Sequence, residues 1–295
     1  MIPYVYILGM PHSGSTLLTF LLNAHPQLIS VGEVALVGRI LPARWAERRG
    51  QCSCGQLFYQ CDFWIRVLET AAHRGLRLGH PDFFRFSQRA EKDAQNALLY
   101  FVESVLQVGG AQIFIDSSKS PEYLDVLARN DGIQLYVLDF YRDGRALLYA
   151  WLKHISHPLV DKWFPNWRRA RFLRSWITRK LVNGWVRKEK ERRTALQKVN
   201  SRYVFRLKYE DLCSQPVETM RSVFRFLGVD SSVDVTQGFK SQVEHHIIGN
   251  QMRLSRHDRI LLDQKWIQAL PAYALETFAK AGGRETNLSN GYVEQ

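Results

Sequence analysis

The chain has 295 residues, of which 46% are hydrophobic and 23% are charged, so it can bury a sizeable core as one large domain or two small ones. Its 19 glycines and 10 prolines exclude a collagen-like or low-complexity chain. No apolar run reaches the roughly 18 residues typical of a membrane span. The N-terminus has neither the basic region nor the small-residue cleavage site of a signal peptide, so we expect a cytoplasmic protein.

The net charge of +12 is concentrated in one segment. Residues 166–193 carry 11 Lys and Arg side chains against Glu189 and Glu191. Such a segment could contact phosphate, sulfate, an acidic glycan, a membrane surface or nucleic acid. The alternative is a pair of solvated basic helices whose aromatic side chains pack inward. Those side chains are Trp167, Phe172, Trp176 and Trp185.

Short apolar runs alternate with helical patterns along the chain. We predict strands at residues 4–8, 112–116, 134–140 and 203–207. Helical spacing occurs at residues 15–23, 94–108, 121–129, 145–153 and 216–227. The alternation predicts a single α/β domain over residues 1–295, with three layers and a central, mainly parallel sheet flanked by helices. Because ligands bind beyond the carboxyl ends of the strands in such sheets, functional residues are expected directly after each strand.

The loop after the first strand has the spacing of a phosphate-binding loop. Gly9 is followed by four residues, then by Gly14, Ser15 and Thr16, between a strand and a helix. The backbone amides of such a loop and the N-terminus of the helix bind anionic oxygens. Ser15 stands where a nucleoside triphosphatase needs a lysine, so we expect phosphate binding without a triphosphate–magnesium substrate. An ordinary tight turn is the alternative.

The segment PHSGST at residues 11–16 resembles the 5′-phosphosulfate-binding loop of sulfotransferases that use 3′-phosphoadenosine 5′-phosphosulfate (PAPS). Further segments resemble this family in the same order. They are residues 23–33, YRDGRA at 141–146, KYEDL at 208–212 with Pro216 and FLG at 226–228, and HHIIGNQMR at 245–253. The similarity is to the bacterial and Golgi-type branch, with some likeness to tyrosylprotein sulfotransferases.

The resemblance implies a P-loop-like sulfotransferase fold and transfer of the sulfuryl group from PAPS to a hydroxyl acceptor by in-line displacement. The loop residues implied to bind the 5′-phosphosulfate are His12, Ser13, Gly14, Ser15 and Thr16. Arg142 would bind the 3′-phosphate, because a planar guanidinium can hold two oxygens. The family has a serine where this chain has Ala150, and Arg253 or Tyr209 would compensate for the missing hydroxyl.

The resemblance also implies a catalytic set. Lys119 would stabilise the charge that grows on the oxygen bridging sulfur and phosphorus. Glu33 is the first candidate for the base that removes the acceptor's proton, and Asp116 at the end of a strand is the second. His12 replaces a cation of the family and could donate one hydrogen bond when neutral. His154 and His157 are weaker candidates.

Three of the four cysteines are clustered. Cys52, Cys54 and Cys61 lie within ten residues, whereas Cys213 stands alone. A tetrahedral zinc site needs four ligands, typically in Cys-x2-4-Cys pairs, and this cluster supplies three with unsuitable spacing. We therefore expect no metal, and interpret the segment as a loop cluster that could contain a redox-sensitive pair.

Three other functions remain open. A P-loop kinase is disfavoured by Ser15, although Asp139 at a strand end could be mistaken for a magnesium-binding carboxylate. A binding module for nucleic acid or an anionic membrane would depend on residues 166–193. An inactive sulfotransferase fold is suggested by His12 and Ala150.

The expected partner is a hydroxyl-bearing acceptor, such as a carbohydrate or another small or amphipathic molecule. A peripheral membrane contact could form through residues 166–193, and no nucleic acid is expected. Residues 36–95 and 154–200 should build the acceptor pocket, but their composition identifies neither the acceptor nor the oligomeric state.

Overall fold

The computed structural model describes residues 1–39, 50–76, 92–154, 170–240, 244–247, 250–254 and 258–293. Its centre is a five-stranded sheet within these residues. The strands are β1 (Ile2–Leu8), β2 (Leu28–Ser30), β3 (Ile113–Lys119), β4 (Ile133–Tyr141) and β5 (Val204–Lys208). They lie in the order β2-β3-β1-β4-β5, and every neighbouring pair is parallel.

Helices connect and cover the strands. Those before β4 are α1 (Ser15–Asn23), α2 (Asp62–His73), α3 (Lys92–Gly109) and α4 (Pro121–Leu127). Those after β4 are α5 (Gly144–His154), α6 (Arg171–Leu196), α7 (Tyr209–Ser214), α8 (Pro216–Leu227), α9 (Lys265–Ala269), α10 (Ala272–Lys280) and α11 (Gly283–Ser289). None of the described helices has the length and apolar character needed to cross a membrane.

The side chains of β1 alternate between two hydrophobic cores. Tyr4, Tyr6 and Leu8 pack with residues of α2, α3 and α4. Val5 and Ile7 point the other way and pack with α1 and α8. All five are fully buried, and burying an aliphatic side chain of this kind contributes about 1.5–3 kcal/mol. The predicted α/β fold is therefore confirmed, with a parallel sheet between two layers of helices.

The parallel arrangement brings three chain segments together at one edge of the sheet. β1 lies between β3 and β4, and Leu8 at its end pairs with Lys119 of β3 and Asp139 of β4. The loop that follows β1, the end of β3 and the turn after β4 are consequently neighbours. This edge is where a sheet of this type binds its ligands.

The basic segment is only partly described, and the alternative of inward-packed aromatic side chains holds for one of the three that are described. Trp185 of α6 is buried and stacks on Phe278, with 5.5 Å between ring centroids. Phe172 and Trp176, however, are 79% and 47% exposed, so they do not pack inward. Trp167 lies outside the described residues.

Part of this basic segment is structural. Arg192 is buried, although charged side chains are usually exposed. Its guanidinium donates to Asp139, to Glu189 (2.7 Å) and to Asn290 (3.1 Å). Asp139 is also buried and accepts a further hydrogen bond from Arg206 at 3.3 Å. Since two arginines already neutralise Asp139, this carboxylate is not free to bind magnesium as a kinase would require.

We expect Arg192→Met to lower the free energy of unfolding by about 3–5 kcal/mol, because it leaves the buried Glu189 without a counter-charge and Asp139 with only the exposed Arg206. The matched control is Arg187→Met in the same helix, since the Arg187 side chain is 74% exposed and lies 3.7 Å from Glu191. Its effect should stay within about 0.5 kcal/mol. Urea unfolding followed by circular dichroism measures both values. Equal effects of the two substitutions would contradict the buried network.

Candidate functional site

A cavity of about 550 Å³ opens at this edge of the sheet, within the range of roughly 300–1,000 Å³ that is usual for ligand sites. The cavity brings together most of the residues that the sequence predicted. They are His12, Gly14, Ser15, Thr16, Glu33, Lys119, Arg142, His154 and Tyr209. Ala150 also lines the cavity.

The loop after β1 is shaped around Gly14. This residue has a φ of +93° and precedes the first residue of α1, Ser15. The first amide groups of a helix lack partners within it, so those at the start of α1 can bind an anion. A Cβ atom on Gly14 would lie only 2.5 Å from the Tyr209 ring. Both the backbone conformation and the close contact therefore require glycine here.

Ser13 lies beneath the loop rather than in the cavity. Its side chain is fully buried, and its hydroxyl has no hydrogen-bond partner among the described residues. Buried hydroxyls are normally paired. Ser13 therefore does not line the cavity in this arrangement of the loop.

His12 is held in the cavity by a second imidazole. Its backbone has a φ of +69°, and its ring stacks on that of His154 with 5.1 Å between centroids. Burial lowers the pKa of His12, and the nearby His154, Arg142 and Lys119 lower it further. His12 is therefore a neutral hydrogen-bonding group at pH 7 and not the fixed cation that a lysine or arginine would supply.

Lys119 and Glu33 form an ion pair at the cavity wall. Lys119 is the last residue of β3 and has a φ of +71°. Its Nζ donates to Glu33 Oε1 at 2.6 Å and to the Ser117 carbonyl at 2.9 Å. The two side chains are 12% and 18% exposed. A cation and a carboxylate are thus both within reach of a bound molecule.

Asp116, the second candidate for the base, does not line the cavity. Its carboxylate is fully buried and accepts hydrogen bonds from the Tyr4 hydroxyl (2.7 Å), the Ser118 amide (2.8 Å) and the Val34 amide (3.2 Å). Burial raises the pKa of Asp116 to about 6, against the lowering effect of these hydrogen bonds. The carboxylate joins β3 to the segment that carries Glu33, so it positions the cavity wall.

Arg142 follows β4 and lies in contact with two other strand ends. Its guanidinium is 4.2 Å from the centre of the Tyr209 ring, and its Nη1 donates to the His12 carbonyl at 3.0 Å. Its Nη2 donates to the Asp263 carbonyl (3.1 Å) and carboxylate (3.3 Å). Arg142 Nε has no hydrogen-bond partner in the described chain. Asp263 is 44% exposed at its side chain, so this partner can be replaced at little cost.

Several residues that line the cavity were not among the sequence-based candidates, and one candidate, Arg253, does not line it. The C-terminal segment also supplies Asn250, Met252, Arg259, Leu261 and Asp263 to the cavity. The closely spaced arginines in residues 253–259 are the feature of the sequence that could have indicated a role for Arg259. Arg253 is not among the lining residues: its Nη1 donates to the carbonyl of Gln51, away from the loop after β1. His157 and Gly249 lie outside the described residues.

The geometry of this cavity agrees with a comparison with known families. The model of the sulfotransferase family matches residues 3–233. The chain therefore belongs to the sulfotransferase family. No curated protein matches it in sequence.

This chain is also similar to three solved structures, each less than 20% identical in sequence. The sulfotransferase domain from the curacin biosynthetic pathway is 15% identical, with a TM-score of 0.48 over 95% of this chain and 97% of that one. The sulfotransferase domain from the Synechococcus PCC 7002 olefin synthase is 18% identical, with a TM-score of 0.47 over 99% and 96%. A sulfotransferase from Alicyclobacillus acidocaldarius is 14% identical, with a TM-score of 0.46 over 96% and 95%.

The contact between Gly14 and Tyr209 can be tested through stability. Gly14→Ala should lower the free energy of unfolding by about 2–5 kcal/mol, because it combines left-handed backbone strain with overpacking against the ring. Gly228→Ala is the matched control, since Gly228 has a φ of +72° and nothing within 4 Å of the added Cβ. It should cost only about 1–2 kcal/mol. Equal losses in denaturant unfolding would show that Tyr209 does not pack on the loop.

Proposed function

We propose that the protein transfers the sulfuryl group of PAPS to a hydroxyl acceptor. One observation carries the proposal: the anion-binding loop after β1, the Arg142 guanidinium and the Lys119–Glu33 pair line the same cavity. The loop would bind one anionic group. Arg142, which follows the neighbouring strand β4, would bind a second. PAPS carries two anionic groups, the phosphosulfate and the 3′-phosphate, at separate positions of one nucleotide. One group would lie against the loop and the other at Arg142.

The described residues fit this donor. The phosphosulfate would lie against the amides at the start of α1 and the hydroxyls of Ser15 and Thr16. The 3′-phosphate would take the place of the exposed Asp263 carboxylate at Arg142, forming charge-assisted hydrogen bonds. Arg259 lines the same cavity as an exposed cation and would contribute where Ala150 lacks a hydroxyl. Tyr209 would hold Arg142 in place through the stacked contact.

The chemistry would be an in-line displacement at sulfur. The acceptor oxygen forms a bond to sulfur while the bond from sulfur to the 5′-phosphate oxygen breaks, and adenosine 3′,5′-bisphosphate leaves with the electron pair. Glu33 would take the proton of the acceptor hydroxyl. Lys119 would stabilise the charge on the departing oxygen. Lys119 must move from Glu33 toward that oxygen, which frees the carboxylate to act as the base.

For the acceptor we propose a chemical class and no particular molecule. A carbohydrate or another small or amphipathic molecule with a hydroxyl would fit the open side of the cavity. The exposed Phe172 and Trp176, with Lys180 4.0 Å from the centre of the Trp176 ring, support a peripheral membrane contact for the amphipathic case. A magnesium-dependent kinase is not supported, because Ser15 replaces the phosphate-binding lysine and Asp139 is neutralised by arginines.

Calorimetric titration with adenosine 3′,5′-bisphosphate tests donor binding. We expect micromolar binding by the unmodified chain and no comparable binding of ATP–Mg²⁺. Arg142→Ala should weaken the bisphosphate about 10- to 100-fold, since charged hydrogen bonds contribute about 1.5–3 kcal/mol. Arg225→Ala, which removes an exposed arginine far from the cavity lining, should leave binding unchanged. Tighter binding of ATP–Mg²⁺ than of the bisphosphate would overturn the proposal.

Rates of bisphosphate release from PAPS separate catalysis from binding. Lys119→Ala should reduce the rate about 100- to 1000-fold, in transfer to water and to any acceptor found by screening, because it removes one electrostatic contact. Glu33→Gln should reduce transfer to an alcohol acceptor by a similar factor. Glu33→Gln should bind adenosine 3′,5′-bisphosphate within about threefold of the unmodified chain, because Glu33 is proposed to contact the acceptor and not the nucleotide. Lys119→Ala should weaken this binding by no more than about tenfold, or about 1.4 kcal/mol, because it removes a cation beside the 5′-phosphate. An unchanged rate in either variant removes that residue from the mechanism.

A further inference from the structure

A second group of reactive side chains lies outside the cavity just described. Cys52 and Cys54 belong to a tight turn in which Gly55, with a φ of +97°, donates its amide to the Cys52 carbonyl at 2.9 Å. Cys61 precedes the first residue of α2. His245 comes from the segment 244–247, far away in the sequence. The fold brings the donor atoms of all four within 4.8 Å of one another.

Four of the six separations between these donor atoms are close to those of ligands around one ion, and none of the six exceeds 4.8 Å. The Sγ atoms of Cys54 and Cys52 lie 3.6 Å and 3.8 Å from Cys61 Sγ. His245 Nδ1 lies 3.3 Å from Cys61 Sγ and 3.5 Å from Cys52 Sγ. A tetrahedron around zinc, with bonds of about 2.3 Å to sulfur and 2.0–2.1 Å to nitrogen, has edges of about 3.5–3.8 Å. A disulfide would need a sulfur separation of about 2.05 Å.

We propose that Cys52, Cys54, Cys61 and His245 bind a zinc ion in a closed, structural Cys3His site. Three thiolates and one imidazole are a common ligand set of structural zinc, and they leave no open position for a substrate. The sequence-based count reached only three ligands because His245 is 184 residues from Cys61. The turn at Gly55 also explains how a Cys-x-Cys spacing presents both sulfurs to the same point.

The surroundings of the four side chains suit a negatively charged zinc–thiolate centre. Cys52 and Cys61 are buried, which excludes water from two of the four bonds. Cys61 is the residue before α2, so its side chain lies at the positive end of that helix dipole. The His245 ring stacks on Phe63 with 4.3 Å between centroids, and this fixes its orientation. The Arg253 guanidinium donates to the carbonyl next to Cys52 and places a positive charge beside the centre.

Zinc at this position would fasten two distant segments to each other. The Ser53 amide already donates to the His246 carbonyl at 2.9 Å, and Trp64 Nε1 donates to the His245 carbonyl at 3.1 Å. The residues that follow, Asn250 and Met252, line the cavity at the edge of the sheet. The ion would thus hold the C-terminal wall of that cavity without taking part in its chemistry.

Metal analysis of the purified full chain tests the proposal. Mass spectrometry should find about one zinc per chain in the unmodified protein and in Cys213→Ser, which changes the cysteine outside the cluster. Cys61→Ser and His245→Ala should each reduce zinc below about one tenth of that amount under matched chelator washing, because every ligand of a four-coordinate site contributes to affinity. A chelator should lower the melting temperature of the unmodified chain and of Cys213→Ser.

A spectroscopic test needs no variant and so does not depend on the folding of one. Replacing zinc with Co²⁺ should give the visible bands of a tetrahedral site and near-ultraviolet thiolate-to-cobalt absorption. The proposal is overturned if the unmodified protein contains no zinc and Co²⁺ produces no such absorption. It is equally overturned if peptide mapping of freshly purified protein finds two of the three cysteines joined as a disulfide. Neither result depends on whether the protein transfers sulfate.

Discussion

The cavity at the carboxyl ends of the strands depends on a stack of three residues that follow three different strands. Gly14 follows β1, Tyr209 follows β5 and Arg142 follows β4. The tyrosine ring lies against the glycine, where no Cβ would fit, and the guanidinium lies 4.2 Å from the centre of that ring. The tyrosine hydroxyl also accepts from the Asp263 amide at 3.2 Å. The ring therefore sets the distance between the loop after β1 and the arginine, together with the direct hydrogen bond from Arg142 to the His12 carbonyl.

Two ion pairs near the carboxyl ends of the strands differ in burial, and this difference decides which of them can contact a ligand. Arg192 and Asp139 are both almost fully buried, and their partners leave no atom for a ligand. Lys119 and Glu33 form a single short contact and keep part of their surface exposed to the cavity. Separating Arg192 from Asp139 would leave a buried charge without its partner. Separating Lys119 from Glu33 costs much less, since a bound substrate can replace each partner.

The sequence predicted the elements whose pattern is local. The apolar runs of β1, β3, β4 and β5 and the helical spacing of α1 were visible because each repeats over several residues. β2 has only three residues and was missed, since so short a run carries no period. Phe172 and Trp176 were offered as inward-facing on composition alone, and the helix that carries them turns both outward.

The sequence predicted those cavity residues that lie near the ends of strands. It did not predict the residues that reach the site from a segment far away in the sequence. Residues at or shortly after the ends of β1, β3 and β4 reach the cavity, including His12, Lys119 and Arg142. Asp116 lies three residues before Lys119 in β3 and points into the core, where it accepts hydrogen bonds from Tyr4 and Ser118. Arg259 and His245 come from the C-terminal segment, whose path over the sheet no local pattern encodes.

A crystal structure with adenosine 3′,5′-bisphosphate tests most directly whether one cavity binds two separate anionic groups. We predict the 5′-phosphate against the amides at the start of α1, and the 3′-phosphate on Arg142 with the Asp263 carboxylate displaced. A nucleotide bound elsewhere would contradict the account. So would a nucleotide in this cavity with Arg142 still paired to Asp263 and neither phosphate in contact with the loop.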